Sequence, residues 1–255
     1  MTESANTTED SIFKKYEHAV RNLMGALSKE RAIELSLEGR PGLISPSAIK
    51  KLFSTLNCEG WKNQKGQNWV WRDATPEHTK GHSDEVSLER EIAALDPKRW
   101  TCQMSTSSGV QVGLNKRRAI DLVRNIGENR YAFIELKVGS NNPLYGAFEI
   151  LGYALAYLHA KEHRGQGKTA PDVFNAREIE LTILGPESWY TYRKRGKAAD
   201  FDFDLQWLAE DIENSLNAQK NAPKFSMVFR RFPDRPSHAT DCALAIDKLA
   251  RESWW

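Results

Sequence analysis

The stretch Tyr131-Ala-Phe-Ile-Glu-Leu-Lys-Val-Gly139 decides how the rest of the chain is interpreted, because it sets two charged residues in an apolar strand. Side chains alternate between the two faces of a strand. Glu135 and Lys137 are therefore expected on the same face as Phe133, with the aliphatic side chains on the other. Charges in so apolar a segment are costly unless they are paired or bind a ligand. The tripeptide Glu135-Leu-Lys137 alone fits two interpretations equally well: an ion pair on a strand surface, or a binding site.

Length and composition indicate a soluble globular protein. The chain has 255 residues, 40% of them hydrophobic and 27% charged, enough for one large domain or a compact domain with an appendage. No apolar run approaches the roughly 18–20 residues that span a bilayer. Residues 1–10 are polar and acidic, unlike a signal peptide. We therefore expect a cytoplasmic protein with no membrane association.

Cysteine content and net charge exclude several classes of protein. Cys58, Cys102 and Cys242 lie far apart and form no C-x-x-C pair, so we expect neither a disulfide framework nor a structural zinc site. The formal charge of +2 does not by itself indicate a nucleic-acid binder. That role would require local clusters of basic residues.

The pattern of hydrophobic residues divides the chain in two. Residues 1–82 are predicted to form an N-terminal helical or accessory region, which includes a short helix opening at Ser45-Pro46. Residues 68–72 read as a strand, and residues 75–82 as a linker. The second section, residues 83–255, alternates helices and strands. Its predicted helices cover residues 84–95, 143–163, 203–216 and 241–250, and its predicted strands cover 99–105, 116–125, 131–139, 177–184 and 225–232.

Asp121 is the residue most closely linked to the opening strand. It lies between Ile120 and Leu122 in a predicted strand, where an unpaired aspartate would be destabilising. The turn at residues 127–130 predicts a hairpin, whose pairing brings Asp121, Glu135 and Lys137 to one end of one sheet face. Carboxylate oxygens suit Mg²⁺, and the lysine could orient water or stabilise a phosphate. A buried ion-pair network without chemistry is the alternative.

The order of these elements resembles the PD-(D/E)XK nuclease superfamily. Asp121 matches the motif aspartate, Glu135-Leu136-Lys137 matches (D/E)-x-K, and Ile120 stands where the motif has proline. The resemblance covers residues 83–185. It implies an α/β fold with a restriction-endonuclease-like core, that is, an αβββαβ order with a mixed central sheet flanked by helices, here with an N-terminal helical section. Residues 83–255 would then be the nuclease-like domain.

The resemblance also implies catalytic residues and a cofactor. Asp121 and Glu135 would bind Mg²⁺ or Mn²⁺ for phosphodiester hydrolysis, with Lys137 as the third catalytic residue. Members often carry a glutamate on the first helix, and Glu89 is preferred here as a third metal ligand, with Glu91 as the alternate. Either glutamate could instead be a solvated helix charge.

Two residues of the long predicted helix could support the site. Glu149 and Tyr153 are four residues apart and share a helix face. This pair is similar to the Gln-x-x-x-Tyr motif of the RecB-like branch, with glutamate in place of glutamine. A tyrosine packed on a core helix is the alternative interpretation.

Two basic clusters could contact nucleic acid. The second is interleaved with aromatic residues, which suits phosphate contact together with base stacking. Either cluster alone is more typical of a solvated surface, but beside a metal site they favour nucleic acid as the partner. DNA is expected ahead of RNA. The residues are Lys116, Arg117 and Arg118, and then Arg193, Lys194, Arg195 and Lys197.

Two other motifs are not expected to be functional. Residues 165–169, Gly-Gln-Gly-Lys-Thr, imitate the end of a P-loop, but a helix precedes them where a strand belongs. His159 and His163 are four apart, yet Ala160 stands where a metalloprotease has glutamate. We expect both histidines at the protein surface.

The sequence therefore predicts a metal-dependent endo- or exonuclease. A different class remains open: a catalytically inactive module with this fold that binds nucleic acid or a protein. A third reading is a restriction or defence effector whose N-terminal region binds a protein partner. A homodimer is one arrangement in which such an enzyme cuts both strands.

Overall fold

The structure is a computed structural model. It describes residues 41–42, 44–50, 69–72, 83–106, 119–139, 143–162, 172–192, 201–234 and 239–253. Several predictions lie outside these ranges and stay predictions. They concern most of the N-terminal helical region, the two basic clusters at residues 116–118 and 193–197, the P-loop-like residues 165–169, and His163.

The residues described from 83 onward form four helices and seven strands. The helices are α1 (Asp84–Leu95), α2 (Pro143–Glu162), α3 (Gln206–Asn217) and α4 (Ala239–Ser253). The strands are β1 (Trp100–Ser105), β2 (Ala119–Gly127), β3 (Arg130–Leu136), β4 (Glu178–Pro186), β5 (Thr191–Tyr192), β6 (Phe201–Asp202) and β7 (Lys224–Phe232). Short 3₁₀ turns cover Asp172–Asn175 and Glu187–Tyr190. Ser83 caps the N-terminus of α1, because its Oγ accepts a hydrogen bond from the Val86 N–H at 3.3 Å.

Five strands form one mixed sheet in the order β1-β2-β3-β4-β7. β1, β2 and β3 are antiparallel neighbours, whereas β3, β4 and β7 run parallel. A parallel connection needs a long crossover, and α2 and α3 lie in the two crossovers. The predicted α/β class, a mixed central sheet flanked by helices, is confirmed. β5 and β6 form a separate two-stranded ribbon.

A tight turn connects the two strands of the β2–β3 hairpin. Gly127 lies opposite Arg130, and the two residues between them, Glu128 and Asn129, have φ angles of 53° and 60°. Positive φ at both central positions is the geometry of a type I′ turn, whose twist matches that of the paired strands. Between Asn125 and Gly127 an irregularity of the bulge type shifts the register by one residue, so that Val123 lies opposite Phe133. The predicted hairpin is confirmed.

The helices form two layers, one on each face of the sheet. α2 and α3 cover the face that carries Phe133 and Leu181, where the larger hydrophobic core lies. α1 and α4 cover the other face, against Leu122 and Ile134. α4 is tied to the first strands by polar contacts: Trp100 Nε1 donates to Asp247 Oδ1 at 3.0 Å.

Part of the N-terminal region belongs to the larger core. Ile44, Ile49 and Trp69 are buried in it together with α2 and α3. Asp211 of α3 accepts hydrogen bonds from the backbone N–H groups of Gly42 and Ile44, at 2.9 and 3.2 Å. The helix predicted at Ser45-Pro46 is present over residues 46–50. The domain boundary after residue 82 stays a prediction, but these contacts join the two regions.

The strand predicted at residues 68–72 is wrong over the described residues 69–72. Trp69 has a φ of 61°, which breaks the extended conformation, although its N–H still donates to Ser105 O of β1 at 2.9 Å. The predicted surface position of His159 is also wrong. The residue is only 1% exposed, because α2 is buried on nearly all sides at this end. In the part of the chain described, none of the helices has the length and apolarity needed to span a bilayer.

Candidate active site

The candidate site lies where β2 and β3 separate. Their backbone pairing extends to Leu122 and Ile134. One residue further along, Asp121 Oδ2 accepts the N–H of Leu136 at 2.9 Å, so a side chain takes over from the strand ladder. On its other side β3 stays paired with β4 as far as Leu136 and Leu184. The Asp121 carboxylate therefore stands at the opening between two strands.

Glu135 and Lys137 enter this opening from the end of β3. Glu135 is 2% exposed and Lys137 is 7% exposed, and the Lys137 ammonium donates to Glu135 Oε1. Phe133 lies on the same face, but its ring packs against those of Trp69 and Tyr157, with centroids 6.2 and 5.6 Å away. The two charged groups thus sit directly above the larger core, where water screens them poorly.

Three carboxylates surround the ammonium of Lys137. Besides Glu135, Glu149 Oε2 lies 3.0 Å from Nζ and Glu85 Oε1 lies 3.6 Å from it. Burial acts to lower the pKa of Lys137, but the charges of Glu135 and Glu149 outweigh it and raise the pKa above its usual range. Lys137 is therefore a firmly protonated cation in this arrangement.

Glu89 of α1 completes the acidic side of the site. It is 1% exposed and accepts a hydrogen bond from the Gln103 side-chain amide of β1. Burial, reinforced by the charge of Asp121, raises the pKa of Glu89 to about 9. Glu91, the alternate, lies elsewhere: its charge raises the pKa of the Cys242 thiol in α4, after the larger effect of burial. The structure brings Glu89, and not Glu91, to Asp121.

The positive charge of Lys137 does not compensate for the burial of the acidic groups around it. Burial raises the pKa of Asp121 to about 7, although Lys137 and the Leu136 N–H act to lower it. Burial also raises the pKa of Glu135 well above its usual range, and the charges of Asp121 and Glu149 add to this effect. Ionising all of these carboxylates together would require a further cation.

The oxygen donors of the site are of the kind that a hard divalent cation prefers, but they are not arranged as a ligand set. Glu135 Oε2 is buried and has no hydrogen-bond partner among the described residues, so an oxygen atom lacks the contact its burial requires. Asp121, Glu135 and Glu89 supply the carboxylate oxygens that Mg²⁺ and Mn²⁺ prefer. Within the described ranges, no group of three or more acidic, histidine or cysteine side chains has the arrangement of a metal-ligand set. The lysine ammonium occupies part of the space among the carboxylates.

The other predicted residues fall into two groups. Glu149 joins the site through Lys137, while Tyr153, one turn along α2, packs against the larger core. Both basic clusters lie outside the described residues. Of the basic residues in β7, Arg230 pairs with Glu180 at 3.1 Å, and the guanidinium of Arg231 lies over the Tyr190 ring, 5.2 Å from its centroid.

Glu85 and Gln103 are site residues that the sequence analysis missed. Glu85 carries a usable signal, since it precedes Glu89 by four residues and therefore shares its helix face. Gln103 carries none that we can identify, because its role depends on a φ of 52° in the middle of β1. That conformation interrupts the regular alternation of a strand.

Comparisons with known proteins add no assignment to this geometry. No family model, no curated protein and no solved structure matches the chain.

Proposed function

We propose that the protein is a metal-dependent nuclease that hydrolyses phosphodiester bonds. One observation carries the proposal: Asp121, Glu135, Glu89 and Lys137 converge at the opening between β2 and β3, and Glu135 Oε2 is buried there without a hydrogen-bond partner among the described residues. A buried group of acids around one lysine is costly to folding, and such costs are typical of functional sites.

The order of elements supports a restriction-endonuclease-like core as the fold. α1, β1, β2, β3, α2 and β4 follow in the sequence αβββαβ, and the candidate residues lie on the elements that this core uses. By this proposal the chain is a divergent member of the PD-(D/E)XK superfamily.

The roles of the residues follow from their contacts. Asp121, Glu135 and Glu89 would hold Mg²⁺ or Mn²⁺, which when bound lowers the pKa of a water and offsets charge on a phosphate oxygen. Lys137, a firmly protonated cation, would stabilise the negative charge that develops as water adds to phosphorus and the bond to the leaving oxygen breaks. Glu89, with its raised pKa, would lose its proton on metal binding.

DNA is the proposed substrate, ahead of RNA. The basic clusters at residues 116–118 and 193–197 would contact its backbone. Cytoplasmic location, a protein partner of the N-terminal region and a homodimer remain proposals of the same kind. We also propose that the nuclease acts in restriction, repair or phage defence.

Purified protein tests the proposal directly. We expect wild type to cleave single- or double-stranded DNA with Mg²⁺ or Mn²⁺, and Lys137→Ala to lose this activity. Lys248→Ala is the matched control, because it removes the same charge from a side chain of α4 that is 73% exposed. Equal inertness of wild type and Lys137→Ala on DNA and RNA with both metals would rule out the enzyme.

A nuclease-fold module that binds without cutting is the second candidate. The observation that favours it is that no metal-ligand arrangement is formed among the described residues. Calorimetry distinguishes the two candidates. A nuclease should bind Mn²⁺ and lose that affinity in Asp121→Ala, whereas a binding module should show no affinity to lose.

A further inference from the structure

Lys137 is contacted by an acidic residue from each of the two helical layers. Glu85 belongs to α1, on the face with Leu122 and Ile134, and Glu149 belongs to α2, on the face with Phe133. Both carboxylates nevertheless reach the same ammonium, at 3.6 and 3.0 Å from Nζ. The lysine is thus contacted from both sides of the sheet.

A lysine ammonium is held in one position only if several groups contact it. Its four-carbon stem is flexible and its ammonium has three N–H donors, so one partner leaves it several conformations. At Lys137 three carboxylates, from β3, α1 and α2, surround the ammonium. Together they specify where the charge lies.

The two outer carboxylates differ from the buried one. The side chains of Glu85 and Glu149 are 24% and 46% exposed, whereas that of Glu135 is 3% exposed. Glu85 and Glu149 therefore face water on one side while they contact Lys137 on the other. Glu89, one turn after Glu85, reaches the Asp121 side of the site instead. α1 thus supplies one carboxyl group that contacts Lys137 and another that faces Asp121.

We propose that Glu85 and Glu149 are positioning residues that form a clamp, one from each helical layer, and hold the ammonium of Lys137 beside Glu135. The purpose of the clamp rests on the proposed function, because a catalytic cation must be held where charge develops. The clamp itself is a physical arrangement that can be measured without substrate. It also assigns Glu85 a role that the family resemblance does not supply.

The test is an NMR measurement of the lysine ammonium. Protons of a solvated ammonium exchange with water too fast to give a separate ¹H–¹⁵N signal, while an ion-paired and buried ammonium exchanges slowly. We expect wild type to show such a signal at neutral pH, and Lys137→Met to lack it, which assigns it. In Glu85→Gln and in Glu149→Gln the signal should shift and broaden.

Matched controls separate the clamp from general charge effects. Asp84 lies beside Glu85 in the first turn of α1 and is exposed, so Asp84→Asn removes the same charge at the same helix end. Glu162→Gln removes the same charge from α2, at an exposed site at the end of that helix away from Glu149. Both controls should leave the Lys137 signal unchanged. A missing signal in wild type, or an unchanged signal in both clamp variants, overturns the proposal.

Activity gives a second, separate reading. If cleavage is observed, Glu85→Gln should lower kcat with KM nearly unchanged, since the phosphate backbone is bound elsewhere, and a tenfold loss is the scale expected. An unchanged kcat would show that the clamp does not position a catalytic group. If no substrate is cleaved but the ammonium signal responds as expected, the clamp stands and the nuclease proposal fails.

Discussion

At the residue scale, Asp121 combines a structural contact with a proposed catalytic one. Its carboxylate accepts the Leu136 N–H at 2.9 Å and also faces Glu89. An asparagine keeps an acceptor oxygen at this position, but an alanine leaves the N–H without one. The two substitutions therefore separate the contribution to folding from the contribution to metal binding.

We expect Asp121→Asn to be more stable than Asp121→Ala by about 1–3 kcal/mol, the cost of an unsatisfied buried donor. By the proposed function, Mn²⁺ should stabilise wild type and neither variant, and nuclease activity should fall in both variants by on the order of 100-fold or more. Urea denaturation with and without Mn²⁺ measures the first two effects. If the alanine variant is as stable as the asparagine variant, the Leu136 contact contributes nothing.

Glu89 gives a prediction for pH. Its pKa rises from 4.5 to about 9 on folding, so the folded protein binds the proton more tightly than the unfolded chain does. The contribution of Glu89 to the stability of the metal-free protein must then fall as pH rises from about 4.5 to about 9. Glu89→Gln removes this loss, so its Tm should exceed that of wild type by an amount that grows with pH.

The advantage should be small at pH 5 and about 10–20 °C at pH 9, since a pKa of 4.5 raised to about 9 corresponds to roughly 6 kcal/mol, and each kcal/mol shifts Tm by about 2–4 °C in a chain of this size. Scanning calorimetry in the presence of a chelator measures it. Glu162→Gln, at an exposed position, should show no such trend. A difference between Glu89→Gln and wild type that does not change with pH would contradict the burial of this carboxyl group.

Individual residues were predictable where a short-range pattern was sufficient. The period of two placed Glu135 and Lys137 on one face, and the hairpin turn brought Asp121 to them. Long-range packing decided the rest. His159 is buried because several elements cover α2, and Gln103 reaches Glu89 through an unusual φ. Neither fact leaves a trace in the neighbouring sequence.

At the scale of elements, the β2–β3 hairpin is the one whose register the site depends on. Its turn holds Glu128 at a φ of 53°, a conformation that glycine adopts more readily than glutamate. The turn lies at the end of the hairpin opposite the candidate residues. Changes there should alter stability without altering the chemistry.

We expect Glu128→Gly to raise the free energy of unfolding by about 0.5–1 kcal/mol, because it relieves the left-handed strain at a modest entropic cost. Glu128→Gln keeps the Cβ atom and removes the charge, so it serves as the control and should be nearly neutral. Equilibrium unfolding in urea measures both. A destabilised glycine variant would show that the Glu128 side chain makes a contribution larger than the strain.

The sequence predicts the helices and strands better than it predicts which of them pack together. Period and turn signals predicted α1 and the hairpin, since those signals act within a few residues. Residues 68–72 are predicted as a strand, but Trp69 turns into the larger core. Packing overrode local propensity there.

At the scale of the whole molecule, the N-terminal region is joined to the sheet domain at residues 44–50 and 69–72. Ile44, Ile49 and Trp69 are each no more than 2% exposed, and they lie in the core with α2 and α3. Removing them would leave a cavity in the larger core. The sequence offered no signal for this, because the contacts join positions more than 160 residues apart, as between Ile44 and Asp211.

Truncation tests this arrangement. A chain that begins at residue 41 keeps these core side chains and should fold with a cooperative thermal transition. A chain that begins at residue 83 lacks them and should have a much lower Tm or fail to fold. Circular dichroism of the two proteins measures the difference. Equal stability would show that residues 83–255 form an independent domain, as the composition of the chain suggests.

The short run from Trp69 to Arg72 has one more consequence, for assembly. It lies along the outer edge of β1, where the Trp69 N–H donates to Ser105 O and Thr101 Oγ1 donates to Arg72 O at 2.8 Å. A second copy of the chain could not extend the sheet by adding a strand at β1 without first displacing this run. If the protein dimerises to cut two strands, the subunits must therefore associate through another surface, and a continuous sheet across the dimer at β1 is ruled out while the run stays in place.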